Sequence, residues 1–340
     1  MMEWVYENMN LLKLACKEVG DDLRGCKIAI AFPLEYKTAV LIGELLRYCE
    51  VLVTPFSPGT TKEEVVSWLN IEILDVSKAI EADYYLDCAA TLVRESLAKG
   101  CIDDVKGVVE LTRSGVSYLR NVKKAIVVDD STVKGVGENI YGTGMGLMDG
   151  LLRLNLNLLG KTVAIVGFGR VGRGCAYVLR NFCRIVVVEI DPIKAMEAVY
   201  EGYEVLDLPK ALEIADIVVT CTGSERVIGG EHFEFIKNGC IVCNMGAFKE
   251  IETPRWKVKE YGLIKKYYKN DKYFYVVADC EPINLAIGNG TPIEIMDRTF
   301  ATVVYALHYL IKEDFSGVIP LPKDIEKRIS EMIIKHVSSI

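Results

Sequence analysis

Three glycines and one acid carry the clearest chemical signal in this chain. Gly167, Gly169 and Gly172 close the apolar run Thr162-Val-Ala-Ile-Val166 in the spacing G-x-G-x-x-G. Gly167 permits a tight turn, Gly169 leaves room for a pyrophosphate beside the backbone, and Gly172 lets the next helix pack close to the strand. Phe168, Arg170 and Val171 complete that turn, where free N–H groups at the helix start face an anion. About 20 residues further on, a second apolar run ends in Glu189, followed by Ile190. A carboxylate there binds the ribose hydroxyls of an adenosine and repels a 2′-phosphate, which predicts NAD rather than NADP. The same acidic clamp also suits S-adenosylmethionine, which leaves a methyltransferase on this framework as an alternative.

Metal and redox chemistry find less support. The 11 cysteines show no framework spacing, as expected of a reducing compartment. Cys240-Ile-Val-Cys243 lies in a predicted strand, where side chains three apart point to opposite faces. His232, His308 and His336 are dispersed, so no metal site is assigned.

A chain of 340 residues has room for about two domains. Its net charge of −7 argues against a polyanionic partner, so no nucleic acid is expected. The basic run Lys265-Lys-Tyr-Tyr-Lys269, near Lys272-Tyr-Phe-Tyr275, reads as a solvated turn leading into a strand. No apolar run reaches membrane-spanning length, and Met1-Met-Glu-Trp lacks the start of a signal peptide. The expectation is a soluble, cytoplasmic protein with a small-molecule substrate.

Helical and strand periodicities alternate throughout, which predicts an α/β protein. Strands are expected at 26–32, 51–55, 71–74, 84–86, 105–111 and 125–128, with helices at 38–48 and 60–69. The pattern Thr61-x-x-Glu64 suggests a capping box for the second helix. Residues 129–144, rich in glycine and polar side chains, break the pattern and read as a hinge. Beyond the glycine turn, strands are expected at 184–188, 217–220, 240–244 and 273–278. A long helix at 293–311 follows, returning to the first domain. The fold class expected is α/β with a Rossmann NAD-binding domain inserted into a smaller α/β substrate domain. The boundaries are 1–130 and 293–323 for the substrate-type domain, 131–144 for the hinge, 145–292 for the Rossmann domain and 324–340 for a C-terminal helix.

Taken together, Asn139-Ile-Tyr-Gly142, the Gly167 turn, Glu189-Ile-Asp-Pro192, Thr220-Cys-Thr-Gly223, Cys243-Asn-Met-Gly246, Asn284-Leu285 and Leu321-Pro-Lys323 resemble the S-adenosylhomocysteine hydrolase family. The likeness is dense over 131–323 and thinner upstream. It implies a bound NAD that oxidises a nucleoside 3′-hydroxyl, after which C4′ is deprotonated, the thiol is eliminated and water adds. By the resemblance, Lys134 assists deprotonation of the hydroxyl, and Glu138 replaces the aspartate beside it. Asn139 helps to hold the lysine and the nicotinamide half. Thr220, Thr222 and Gly223 form the loop over the cofactor, Met245 and Gly246 the turn near the nicotinamide, and Asn284 the hold on its carboxamide. Thr112 and Ser114 fall on the segment that reaches the NAD, while Thr38 and Asp87 lie on the substrate side.

The departures bear directly on function. Pro33, Ala247 and Thr291 stand where the family has its catalytic histidines, and Cys88 and Leu111 where it has carboxylates. Glu35 and Lys37 replace the adenine-binding threonine and glutamate. The sequence ends at Ile340 without the tail that in the family reaches a neighbouring subunit's NAD. Each positioned acid or base contributes about 10²–10⁴-fold, so efficient hydrolysis of S-adenosylhomocysteine is not expected. Hydride transfer needs only the cofactor, an orienting site and one base. The expectation is therefore NAD-dependent oxidation or reduction of a hydroxyl on a nucleoside-like or other small substrate, within one-carbon metabolism. The family's habit of pairing implies a homo-oligomer, a dimer or tetramer. Two alternatives stand beside this: a non-catalytic nucleotide or S-adenosyl-metabolite binding protein in which Lys134 and Glu138 form only a salt bridge, and a true hydrolase with replaced catalytic groups.

Overall fold

A computed structural model describes residues 1–337. Five strands come first: β1 (Lys27–Ala31), β2 (Glu50–Val53), β3 (Tyr84–Asp87), β4 (Gly107–Glu110) and β5 (Lys124–Val127). Eight follow: β6 (Thr162–Val166), β7 (Arg184–Val188), β8 (Glu204–Val205), β9 (Ile217–Thr220), β10 (Ile241–Asn244), β11 (Lys257–Tyr261), β12 (Ile264–Lys269) and β13 (Lys272–Val277). The last is β14 (Gly317–Pro320).

The chain divides into two compact units, Met1–Glu138 with Ile293–Ile340, and Asn139–Pro292. The fold class is α/β, with the second unit inserted into the first. The outer unit is the larger of the two, contrary to the expectation, because the N-terminal helices and the long helix Ile293–Lys312 all belong to it.

In the first unit a parallel sheet runs β14-β5-β4-β3-β1-β2. Its strands read as near-continuous apolar runs because helices cover both faces. The helix Ile293–Lys312 buries Phe300, Val303, Val304 and Leu307 against one face, where Phe300 stacks on Phe32 at 5.8 Å. Asp297 of that helix accepts hydrogen bonds from the Leu11 and Leu12 N–H groups at 3.0 and 2.8 Å, pinning the helix Asn10–Val19 by its first turn.

The second unit has the sheet order β11-β12-β13-β10-β9-β6-β7-β8. From β8 to β13 it is the parallel 3-2-1-4-5-6 arrangement of a dinucleotide fold, and β6 is its first strand. Cys243 packs on one face of this sheet and Cys240 on the other, as the strand period requires.

Several local expectations are corrected. Residues 71–74 form only a single bridge, Val53 to Ile73, too short for a strand. The helix Glu63–Leu69 has no side-chain cap, since the Thr61 hydroxyl donates to the Ser57 carbonyl at 3.0 Å instead. Residues 265–269 are not a turn but strand β12. The stretch expected as a hinge is helical: Val133–Gly142 winds as a wide π-type helix into Thr143–Arg153, and the unit boundary falls within it. Its glycines permit this, because Gly144 lies where a Cβ would overlap the Gly174 carbonyl, bringing two helices together. At the end of the chain, Lys323–Val337 is helical, and the last three residues of that expectation lie outside the described residues.

Candidate functional site

In the inserted unit the glycine turn has the predicted form. Gly167 sits at φ +96°, a conformation open to glycine and strained for other residues. A Cβ on Gly172 would overlap the Gly167 carbonyl, so this glycine sets the approach of the helix Arg170–Leu179 to β6. Around Gly169 a Cβ would meet nothing, which leaves open space beside the backbone at the helix start. Phe168 turns inward and packs on Tyr203 with ring centroids 5.7 Å apart, while Arg170 is exposed and Val171 half-buried.

Glu189 ends β7 as expected, and its carboxylate is already engaged. It accepts hydrogen bonds from the N–H groups of Phe168 (2.6 Å), Ile190 (2.8 Å) and Asp191 (2.9 Å). These bonds fix the carboxylate beside the turn, and the Ile190 side chain next to it is 97% exposed.

The Thr222–Gly223 loop is organised by a residue that the sequence reading missed. Glu250 is fully buried, and burial holds its carboxyl above the usual range. It accepts from the Thr222 N–H and hydroxyl at 2.9 Å each and from the Gly223 N–H at 2.6 Å. Its Oε1 occupies the place a Cβ would take on Gly246, so the same carboxylate joins this loop to the Met245–Gly246 turn. The only signal for it in the sequence is an acid a few residues beyond that turn.

Asn244 is the second hub. Its Nδ2 donates to the carbonyls of Gly246, Phe248 and Cys280 at 3.0, 2.8 and 2.8 Å, and its Oδ1 accepts from the Thr220 hydroxyl and the Gly246 N–H. Asn284, in the short helix Ile283–Ala286, is buried, and its side-chain Oδ1 has no hydrogen-bond partner. An orphaned buried acceptor is costly, and here it lies at the position expected to hold a carboxamide. That orphan and the open Gly169 turn together fit a dinucleotide.

Within the first unit, Lys134 and Glu138 form a buried ion pair through Glu138 Oε1, while Oε2 has no partner. Lys134 and Glu138 both act electrostatically on Cys88, whose thiol burial pushes far up, so it stays neutral and is no base. Asp87 departs from its expected role. It is sealed from solvent, with its oxygens taken by the N–H groups of Cys88 (2.9 Å), Leu92 (3.1 Å) and Val93 (3.0 Å). It therefore caps the helix Thr91–Lys99 rather than facing a ligand.

Glu110, also missed, lies behind the same loop. It accepts from the N–H groups of Ala89, Ala90 and Thr112 and from the Thr112 hydroxyl at 2.6 Å. Those bonds hold Ala89 and Ala90 at φ +54° and +53°, where glycine would be the usual choice. Thr112 and Ser114 join the network, with the Ser114 hydroxyl donating to Thr112 Oγ1 at 3.2 Å. Thr38 is buried in the helix Tyr36–Leu45, and just before it Glu35 and Lys37 form a buried pair at 2.6 Å.

The described imidazoles are engaged elsewhere. His232 Nδ1 accepts from the Gly229 N–H at 3.1 Å, and His308 pairs with Asp22 at 2.9 Å on the surface. No group of three or more potential metal ligands occurs among the described residues. No helix among them is long and apolar enough to cross a membrane.

Residues 139–290 match the family described as S-adenosyl-L-homocysteine hydrolase, NAD binding domain. Over its length the chain is 35% identical to S-inosyl-L-homocysteine hydrolase of Methanopyrus kandleri, with 99% of this chain and 90% of that one covered. It is 32% identical to adenosylhomocysteinase of Pyrococcus abyssi, with 98% and 88% covered. The adenosylhomocysteinase of Thermotoga maritima is 30% identical, with 97% and 92% covered.

Proposed function

The chain belongs to the S-adenosyl-L-homocysteine hydrolase family and binds NAD, and from that premise we propose that it oxidises or reduces a hydroxyl on a nucleoside thioether. The observation carrying this reading is the buried Lys134–Glu138 pair with one carboxylate oxygen left without a partner. NAD supplies the hydride acceptor. Lys134 and Glu138 would orient the substrate hydroxyl and hold its proton, with Glu138 Oε2 free to accept a hydrogen bond. Asn284 Oδ1 would bind the cofactor carboxamide, Glu189 the adenosine ribose, and the turn from Gly167 to Gly172 the pyrophosphate. Asn139, Thr220, Thr222, Gly223, Met245 and Gly246 would frame the nicotinamide.

Thioether elimination and hydration receive less from this chain. Pro33, Ala247 and Thr291 offer no imidazole, Cys88 is held neutral, and the described histidines are tied up at other places. Slow release of homocysteine from S-adenosylhomocysteine follows.

A particular base is favoured by Lys37. The family's adenine-binding pair is Glu35 and Lys37 here, and an ammonium only donates hydrogen bonds. Lys37 therefore suits a base with a carbonyl at its six-position, as in an inosyl thioether, over one with an amine. That two-way choice is represented in the names of the relatives.

The test is to mix NAD-loaded protein with S-inosylhomocysteine or S-adenosylhomocysteine, following the near-ultraviolet band of NADH and the free thiol separately. The expected result is an NADH band that is larger with the inosyl compound, with thiol appearing slowly. Silence with every nucleoside would leave a binding protein. Brisk thiol release from the adenosyl compound would remove the claim of weak hydrolysis.

A further inference from the structure

Strands β11 to β13 extend the second sheet beyond its parallel body, and their registers sort side chains onto two faces. Directly opposed residues of antiparallel strands share a face. Tyr267 opposes Phe274, and both pack in the core beside Trp256. On that inner face Lys265 and Lys269 are ion-paired, while Lys272, directly opposite Lys269, donates to the Glu234 carbonyl at 2.6 Å. Lys265 meets Asp279 at 2.8 Å and Glu260 at 3.4 Å, and Lys269 meets Glu234 at 3.8 Å.

The outer face is sorted differently. Lys259 directly opposes Lys266, which opposes Tyr275, while Lys257 opposes Tyr268, which opposes Tyr273. None of Lys257, Lys259 and Lys266 takes part in an ion pair among the described residues. Lys266 instead lies over the Tyr273 ring at 4.0 Å. Like charges set opposite one another weaken a sheet, so the Lys259–Lys266 pair is a cost to the free protein. Lysines on an edge strand do deter pairing with other chains. That accounts for Lys257 and Lys259 on β11, but not for Lys266 on the middle strand or for the row of tyrosines.

We propose that this face binds a single-stranded polynucleotide. Phosphates lie on Lys257, Lys259 and Lys266, and bases stack on Tyr268 and its neighbours. Neighbouring strands stand about 4.8 Å apart, and same-face residues along a strand about 6.6 Å apart. Lysines toward β11 and tyrosines toward β13 thus lie side by side at intervals that an extended strand can follow. Such binding runs against the expectation of no nucleic-acid partner, which rested on the net charge of −7 and on reading residues 265–269 as a solvated turn; of these grounds the structure removes only the second.

The experiment is fluorescence anisotropy with labelled 12-residue oligo-dT and oligo-rU, titrated with the NAD-loaded full chain at several salt concentrations. Each phosphate neutralised on a single strand contributes about −0.7 to the log–log salt slope. Three lysines therefore predict a slope of about −2. The Lys259→Gln/Lys266→Gln variant should bring the slope to about −0.7 and weaken binding at least tenfold. Tyr268→Ala should weaken binding at unchanged slope. NAD binding and the melting temperature of both variants should match the parent, which separates a lost site from a lost fold. Absence of binding at low salt would overturn the proposal, as would binding that these variants do not weaken. Equal binding of inorganic polyphosphate, of poly-glutamate or of duplex DNA would also overturn it, because stacked single-strand bases would then contribute nothing.

Discussion

Glu250 places its Oε1 where a Cβ would stand on Gly246, while Oε2 holds Thr222 by two hydrogen bonds of 2.9 Å. One buried carboxylate thus couples two loops that arrive from the ends of different strands, β9 and β10. Gly246 is required for that contact because any side chain would displace the acid.

Glu250→Gln should loosen the Thr222–Gly223 loop more than it damages the fold. The amide retains an acceptor but turns its second oxygen into a donor facing donors. We expect the dissociation constant for NAD to rise about tenfold, roughly 1.4 kcal/mol, by calorimetry. Glu250→Asp, which keeps the charge but falls a methylene short, should recover little. Unchanged affinity in Glu250→Gln would show that the loop does not touch the cofactor.

Two glycines of the same turn should behave in opposite ways. Gly172→Ala pushes a methyl into the Gly167 carbonyl, so overpacking should cost about 1–3 kcal/mol in thermal or urea unfolding. Gly169→Ala adds a methyl into open space and should leave unfolding unchanged. Its NAD affinity should nevertheless fall at least tenfold, because the methyl takes the room of the pyrophosphate. Equal NAD binding by Gly169→Ala and the parent would place the dinucleotide elsewhere.

The buried carboxyls of Asp87 and Glu110 predict a pH dependence. Burial raises both above their ordinary values, Asp87 to about 7, and the Asp87 charge raises Glu110 further. The folded chain therefore binds these protons more tightly than the unfolded chain does. Their contribution is most favourable at low pH and is lost as pH rises through the folded values. The melting temperature should fall between about pH 5 and about pH 8, and Glu110→Gln should flatten that fall. A steeper fall in the variant would contradict the assignment.

Removing one member of the Lys134–Glu138 pair leaves the other charge buried alone. Lys134→Met should destabilise the chain by about 3–5 kcal/mol, measured by urea unfolding. The double variant Lys134→Met/Glu138→Gln should regain most of that stability but none of the NADH formation. Recovery of both together would reduce the pair to a structural role.

Much of the fold was legible in residues 162–191, because a dinucleotide turn depends on local backbone freedom and on strand and helix periods. The alternation of periods likewise located most strands of both sheets. Residues 265–269 were misread because lysine and tyrosine carry no sign of which face they will occupy until a partner strand fixes the register. The stretch 129–144 was misread as irregular because its glycines, poor helix formers alone, are chosen for close helix packing at Gly144 and Gly174.

By itself, then, the sequence determined the nucleotide turn, the acid at the end of β7, the family resemblance and the loss of three histidines. These are properties of neighbours along the chain. Only the tertiary structure decided that Asp87 caps a helix, that Glu250 and Glu110 each hold a loop, and that Asn284 keeps an acceptor without a partner. A carboxylate or amide takes its role from the donors that surround it, and those donors come from residues far apart in the chain.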